Sequence, residues 1–188
     1  KTFLPGELNV LYAGTLGRAQ RLENALRAAK IAQERGVRVN LRFVGDGATW
    51  GALIEQAREL EVDLQLEHQL KPEALNSRYD WADTALVHLT DWESLETAVP
   101  SKTYELMSNG IHISAVVRGE TARMISMLEA GDVIAPNDPT ALAELWVALA
   151  RDRSRLEVSD KGKRWVDDQR RYDAPNSLIA LLENVAEA

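Results

Sequence analysis

Short apolar runs alternate with segments of helical period along almost the whole chain, and this alternation restricts the fold more than any single motif. NVLYAG (residues 9–14) precedes RLENALRAAKIAQERG (21–36), in which Leu22, Leu26, Ala29 and Gln33 share a helical face and Gly36 closes the segment. VRVNLRFVG (37–45), VDLQLEHQ (62–69), TALVHL (84–89), IHISAVV (111–117) and DVIAP (132–136) read as further strands. Between them lie helical stretches at 48–60, 71–82 with Pro72 at its entry, 99–111, 118–131, and 138–152 with Asp138 as N-cap. Two polar helices complete the C-terminus, the last being SLIALLENVAEA with Leu178, Leu181, Leu182 and Val185 on one side. Strands joined through helices require crossover connections, so the pattern predicts an α/β fold: a doubly wound, Rossmann-like parallel sheet of about six strands.

Composition limits what such a sheet can do. The 188 residues are 45% hydrophobic and 27% charged, the balance of one globular domain with a full core. Its 22 basic against 29 acidic residues leave a net charge of −7, which argues against a nucleic-acid groove. There is no cysteine, so disulfides, thiolate metal sites and cysteine nucleophiles are excluded, and a reducing cytoplasm is compatible with the chain. No apolar run approaches the roughly 20 residues of a membrane helix, and KTFLPGELNV has no signal-peptide core, so a soluble product is expected. Residues 1–7 read as an interdomain linker, 8–152 as the Rossmann-like core and 153–188 as C-terminal helices, all in a single nucleotide-binding domain.

Ligands of doubly wound sheets bind beyond the carboxyl ends of the strands, so three loops matter. In YAGTLGRAQRL, Gly14, Thr15 and Gly17 let the backbone approach an anion, the next helix offers free amides, and Arg18 can add a bidentate phosphate contact. The same glycines also serve as plain turn punctuation. The pattern is neither G-x-G-x-x-G nor a P-loop, which disfavours an NAD site or a nucleoside triphosphatase. FVGDGATW places Gly45 and Asp46 beside the first loop, again either as a turn or as part of a site.

VPSKTYELMSNGI (99–111) carries the most chemistry. Pro100 and Ser101, the latter as N-cap, open a helix whose free amides and Lys102 make an anion site. Glu105, one turn on, reads either as a solvated helix glutamate or as an acceptor for the two hydroxyls of a vicinal diol such as ribose. His68 and His88 have no carboxylate or histidine at ligand spacing, and no protein-bound metal is expected.

Taken in order, YAGTLGRAQRLENALRAA, RFVGDGATWGALIEQA, VPSKTYELMSNGI and GDVIAPNDPTALAELWVALARD resemble the nucleotide-sugar-binding C-terminal half of a GT-B glycosyltransferase. The similarity, over about residues 8–152, is to the family-four (group 1) type that includes bacterial cell-surface polysaccharide enzymes. That resemblance implies transfer of a sugar from a nucleotide diphosphate donor, UDP-linked, to an acceptor hydroxyl, with retention of configuration and no metal or other cofactor. It further implies an N-terminal acceptor-binding domain of the same polypeptide as partner. Cytoplasmic location follows, the complete enzyme reaching the inner face of a membrane through its acceptor. The isolated half is expected to bind nucleotide but transfer little.

Within the resemblance, the second glutamate of the family's Glu-x7-Glu, which holds the ribose, falls on Glu105; Gln69 joins the nucleotide-binding set. Counting back eight reaches Thr97, where the family has its donor-sugar glutamate, with Glu96 one place off and Glu93 farther away. Thr15 and Gln20 stand where many members have arginine and lysine, leaving Arg18 and Lys102 to meet the diphosphate as catalytic groups alongside Glu96. GIHIS replaces the usual G-x-P-V, so His112 reads as a strand residue. Two other readings remain: a UDP-sugar 2-epimerase-like GT-B half, and a non-catalytic GT-B-like interaction domain.

Overall fold

The computed structural model describes residues 6–173. Six strands, β1 (Glu7–Ala13), β2 (Arg38–Val44), β3 (Leu64–Glu67), β4 (Thr84–His88), β5 (His112–Val116) and β6 (Gly131–Ile134), form one sheet in the order β3-β2-β1-β4-β5-β6. Every pairing is parallel. The helices are α1 (Glu23–Glu34), α2 (Trp50–Leu60), α3 (Pro72–Trp81), α4 (Ser101–Ser108), α5 (Gly119–Met127), α6 (Pro139–Arg151) and α7 (Lys161–Asp168). The expected doubly wound fold is therefore present. Chain order reverses between β1 and β4, which opens a crevice at their carboxyl ends.

A parallel sheet covered on both faces buries its inner strands, and β4 and β5 are buried at all five positions each. One core layer joins α1, α2 and α6 to the sheet through Leu26, Leu53, Leu142 and the fully buried Trp146. The other joins α3, α4, α5 and α7 through Leu75, Leu106, Ile125 and Val166. On α1, Leu22, Leu26 and Ala29 are buried as expected, but Gln33 is exposed. The buried face there is instead widened by Ala25, Ala28 and Ala32, because small side chains let α1 lie close to α6.

Local signals account for several boundaries. Asp138 caps α6, its carboxylate accepting the Ala141 amide at 2.8 Å. Gly110 ends α4 in the left-handed region at φ 63°, with the Gly110 amide donating to Met107 and the Ile111 amide to Leu106, so β5 follows at once. Ser101 is not the N-cap of α4: Pro100 holds that position and Ser101 is the first helical residue, exposed and without a capping hydrogen bond. Nor does residue 7 belong to a linker, since Glu7 opens β1. The terminal helix expected around Leu178–Val185 lies outside the described residues.

Two buried polar connections tie the layers together. Thr84 bridges β4 to β5 through His112 and Ser114, both at 2.9 Å, and Trp146 donates to Ser114 at 3.3 Å. His112 is thus a buried strand residue whose second nitrogen meets Asp132 at 3.2 Å. At the amino edge of the sheet, Asp83 accepts the Asn9 amide and the Arg153 guanidinium, each at 2.8 Å, while Arg153 also donates to the Glu7 carbonyl at 2.5 Å. This clasp fastens the segment after α6 to β1 and β4. Replacing a buried partner leaves the other charge poorly compensated. Because Arg153 retains some hydration, Asp83→Ala is expected to lower unfolding free energy by about 2 kcal/mol. Urea denaturation of the two proteins measures the difference.

Candidate functional site

The site is built on backbone contact between the loops after β1 and β2. A Cβ on Gly45, at φ 156°, would lie 1.8 Å from the Gly14 carbonyl oxygen, and one on Gly47 would lie 2.1 Å from that of Leu16. Only glycine permits this approach. Hydrogen bonds complete it: the Gly14 amide donates to Val44 and the Leu16 amide to Asp46, both at 2.9 Å. Leu16 also receives the Thr49 hydroxyl at 2.9 Å. Gly14 and Gly45 therefore serve loop packing, and the Gly14 amide is already engaged. Among the described residues the Thr15 and Gly17 amides carry no such bond.

The first loop does not run straight into a helix. A 3-10 turn, Arg18–Gln20, and a left-handed Arg21 intervene before α1. The amino end of α1 is consequently closed by its own turn, with the Asn24 and Ala25 amides donating to Arg21 and Leu22. Arg18 projects from the turn, exposed and without an acidic partner among the described residues. Arg21 is held by Asn137 at 2.6 Å, and the Ala19 carbonyl accepts the Thr90 amide at 2.8 Å. The turn is thereby moored to the loops after β4 and β6.

Beneath it, His88 at the end of β4 is buried and paired with Asn24 at 3.0 Å. Burial pushes its imidazole down to about 3; the Gln20 backbone opposes that shift and the Arg21 charge adds to it.

Beyond Gly14 and Thr15 lies a cavity of about 170 Å³, bounded by Val44 and Asp46 after β2, by Gln69, Leu70 and Leu75 from β3 to α3, and by Lys102 of α4. Asp46 is fully used in shaping its rim. One oxygen meets His68 at 2.6 Å and the other accepts the Gln69 amide at 3.1 Å. These contacts, the His68 bond foremost, hold the Asp46 carboxyl below its ordinary range. His68 therefore does have a carboxylate neighbour, brought from 22 residues away by the sheet, and it stacks on Trp50 at 4.5 Å.

On α4, Lys102 donates to one oxygen of Glu105 at 2.6 Å, and Tyr79 of α3 donates to the other at 2.6 Å. Lys102 lines the cavity; Glu105 is held directly behind it. Burial alone would raise the Glu105 carboxyl, but the bonds from Lys102 and Tyr79, together with the Arg170 charge, outweigh it and lower the group. Tyr79 is pushed up, first by burial and then by Glu105. No local sequence signal marks Tyr79, which lies 26 residues from its partner.

Glu93, Glu96 and Thr97 are all exposed in the loop after β4, apart from this cavity. The Glu96 backbone is fixed by α5: its carbonyl accepts the Glu120 amide at 2.7 Å and sits where a Cβ on Gly119 would be, 2.0 Å away. The exposed Trp92 and the Asp91–Arg118 pair at 3.1 Å share this rim.

A larger hollow of about 730 Å³ opens at the opposite edge, between Gly6, Gly36 and Asp63. Glu7, Glu61 and Asp63 line it, and the cation among its described lining residues, Arg38, is already paired with Asp63 at 2.7 Å. It suits an anionic ligand poorly and lies at the strands' amino ends, so the smaller cavity is the candidate site.

The family model described as glycosyl transferases group 1 matches residues 2–165. The chain belongs to this family. Among solved structures, this glycosyltransferase domain resembles sucrose-phosphate synthase from Thermosynechococcus elongatus, at 20% identity and TM-score 0.76, over 97% of this chain and 46% of that one. It also resembles Anabaena Alr3699/HepE in complex with UDP-glucose, at 14% identity and TM-score 0.74, over 97% and 49%. A third is a mutant of S. aureus TarM, crystallised with UDP among its ligands, at 12% identity and TM-score 0.72, over 97% and 36%. The domain thus spans less than half of each of these chains. No curated protein matches it in sequence.

His88 supplies a pH test of how the first loop of the glycosyltransferase domain is supported. Its folded value of about 3 lies below the unfolded 6.5, so between these pH values the unfolded chain binds more protons and acid destabilises the fold. His88→Gln should flatten the fall in stability from pH 6 to 4.5 by up to about 1.4 kcal/mol per pH unit. Denaturant titrations at several pH values would show it, and equal slopes for both proteins would contradict this role.

Proposed function

We propose that this domain binds the nucleotide diphosphate part of a sugar donor, UDP-linked, in the cavity at the carboxyl ends of β1, β2 and β3. The observation carrying the reading is that Lys102 lines the same cavity as Gly14 and Thr15 while its ammonium is bonded to the Glu105 carboxylate. Lys102, the free Thr15 and Gly17 amides and Arg18 are the groups for the diphosphate; Glu105 takes the ribose hydroxyls, and the segment at Gln69 borders the base. Family membership supports the assignment, as do relatives solved with UDP or UDP-glucose.

The reaction is glycosyl transfer with retention. The bond from the sugar's anomeric carbon to the diphosphate oxygen breaks, a bond to the acceptor oxygen forms, and the acceptor hydroxyl's proton passes to the departing diphosphate. Negative charge grows on the departing diphosphate, and preorganised cations and amides stabilise it there without a metal ion. Glu96, on the loop bound to α5, is the carboxylate offered to the donor sugar. Acceptor binding falls to a second domain of the same polypeptide, and closure between the two excludes water from the transferred sugar. In this reading the enzyme serves surface polysaccharide or glycoconjugate synthesis in the cytoplasm, and the domain by itself transfers little sugar.

Calorimetry on the domain is expected to show UDP binding at least about tenfold more tightly than uridine, because charge-assisted phosphate contacts dominate. Chelation of divalent cations should leave that affinity unchanged. Equal affinity for UDP and uridine would remove the diphosphate assignment. Glu105→Ala should weaken UDP binding at least about tenfold, since each charge-assisted hydrogen bond contributes roughly 1.5–3 kcal/mol. An unchanged dissociation constant in a folded variant would remove Glu105 from the site.

A further inference from the structure

Glu105 has two carboxylate oxygens, and each already holds a donor: Tyr79 on one, Lys102 on the other. The two donors differ in their freedom. Tyr79, on the buried face of α3, is 7% exposed and packed in the core. Lys102 is a flexible four-carbon stem whose side chain is 35% exposed, the same as that of Glu105. Of the three residues, Lys102 alone lines the 170 Å³ cavity, and its ammonium is bonded to the Glu105 oxygen that Tyr79 does not hold. A diol that takes this oxygen competes with the ammonium for it.

We propose that Lys102 is a specificity-determining residue that makes ribose capture conditional on a diphosphate, by exchanging its partner from Glu105 to the diphosphate as ligand enters. The inference rests on the ribose and diphosphate roles assigned above. A nucleoside alone must break the Lys102–Glu105 pair and offers the displaced ammonium nothing in return. A nucleoside diphosphate offers it a stronger anion in the cavity that Lys102 lines with Gly14 and Thr15. Tyr79 stays on its oxygen throughout and keeps the carboxylate oriented while the other oxygen is vacated. The exchange is feasible because a half-exposed ion pair is weak and easily broken. Selection against bare nucleosides thus comes from a contact that the ligand removes, in addition to those it makes.

The test is titration of uridine and of UDP, followed by NMR, into the wild-type domain and its Lys102→Met and Lys102→Gln variants, with thermal melts to establish folding. Work at pH 8 keeps Glu105 ionised in all three. Both variants are expected to bind uridine more tightly than wild type, by roughly threefold, as the competing ammonium is gone. Both should bind UDP more weakly, by about tenfold. If uridine and UDP weaken together, Lys102 bridges Glu105 and ligand without exchanging, and the proposal is overturned. Unchanged uridine affinity overturns it too. A wild-type domain that binds neither molecule overturns the site assignment itself, a separate failure from that of the exchange.

Discussion

The rest of the site depends on how closely the backbone after β1 approaches the backbone after β2. With the Gly45 Cβ position 1.8 Å from the Gly14 oxygen and that of Gly47 2.1 Å from the Leu16 oxygen, no side chain fits at either place. The two loops behave as one rigid piece, joined by the Gly14, Leu16 and Thr49 amides. This brings Thr15 and Asp46 to one cavity, which Lys102 also lines. The reversal of chain order between β1 and β4 creates the crevice, and the glycine contacts give its floor a shape.

Charge is distributed unevenly around that floor. Asp46, readable from its loop as either a turn or a site residue, has both oxygens committed to His68 and Gln69 and shapes the rim. Glu105 is held on two sides and kept ionised in a half-buried setting, where burial alone would favour the neutral acid. Arg18 has no acidic partner among the described residues, at the start of a turn moored through Ala19 and Arg21. A net-acidic chain thus keeps a cation, Lys102, at the cavity by its strands' carboxyl ends.

Much of the fold is legible in the sequence because its signals are local. Buried parallel strands are continuous apolar runs, Gly110 and Gly36 stop helices through left-handed geometry, and Asp138 caps α6 with its own side chain. Local rules fail where tertiary ones compete. The Ser101 hydroxyl favours a cap, yet Pro100, with its fixed φ, takes that position. Gln33 matches the helical period, but alanines permit a closer approach to α6 and move the buried face away from it. Of the site, Lys102, Glu105 and the glycine loops can be picked out by position. The partners that define their chemistry cannot: Tyr79 reaches Glu105 across 26 residues and His68 reaches Asp46 across 22, and no spacing rule encodes such contacts. The glycines are visible as residues, although their reason, a neighbouring carbonyl, emerges only once the loops are packed.

The central claim is that nucleotide occupies the carboxyl edge of the sheet between the glycine loops and α4. Amide-resolved NMR of the isotope-labelled domain during UDP addition tests it most directly, since each residue reports separately. The account predicts shifts concentrated at Thr15, Gly17, Gln69, Lys102 and Glu105, with Val37, Arg38 and Asp63 around the larger hollow at the opposite edge unaffected. Shifts confined to that opposite edge, or none at saturating UDP, would contradict it.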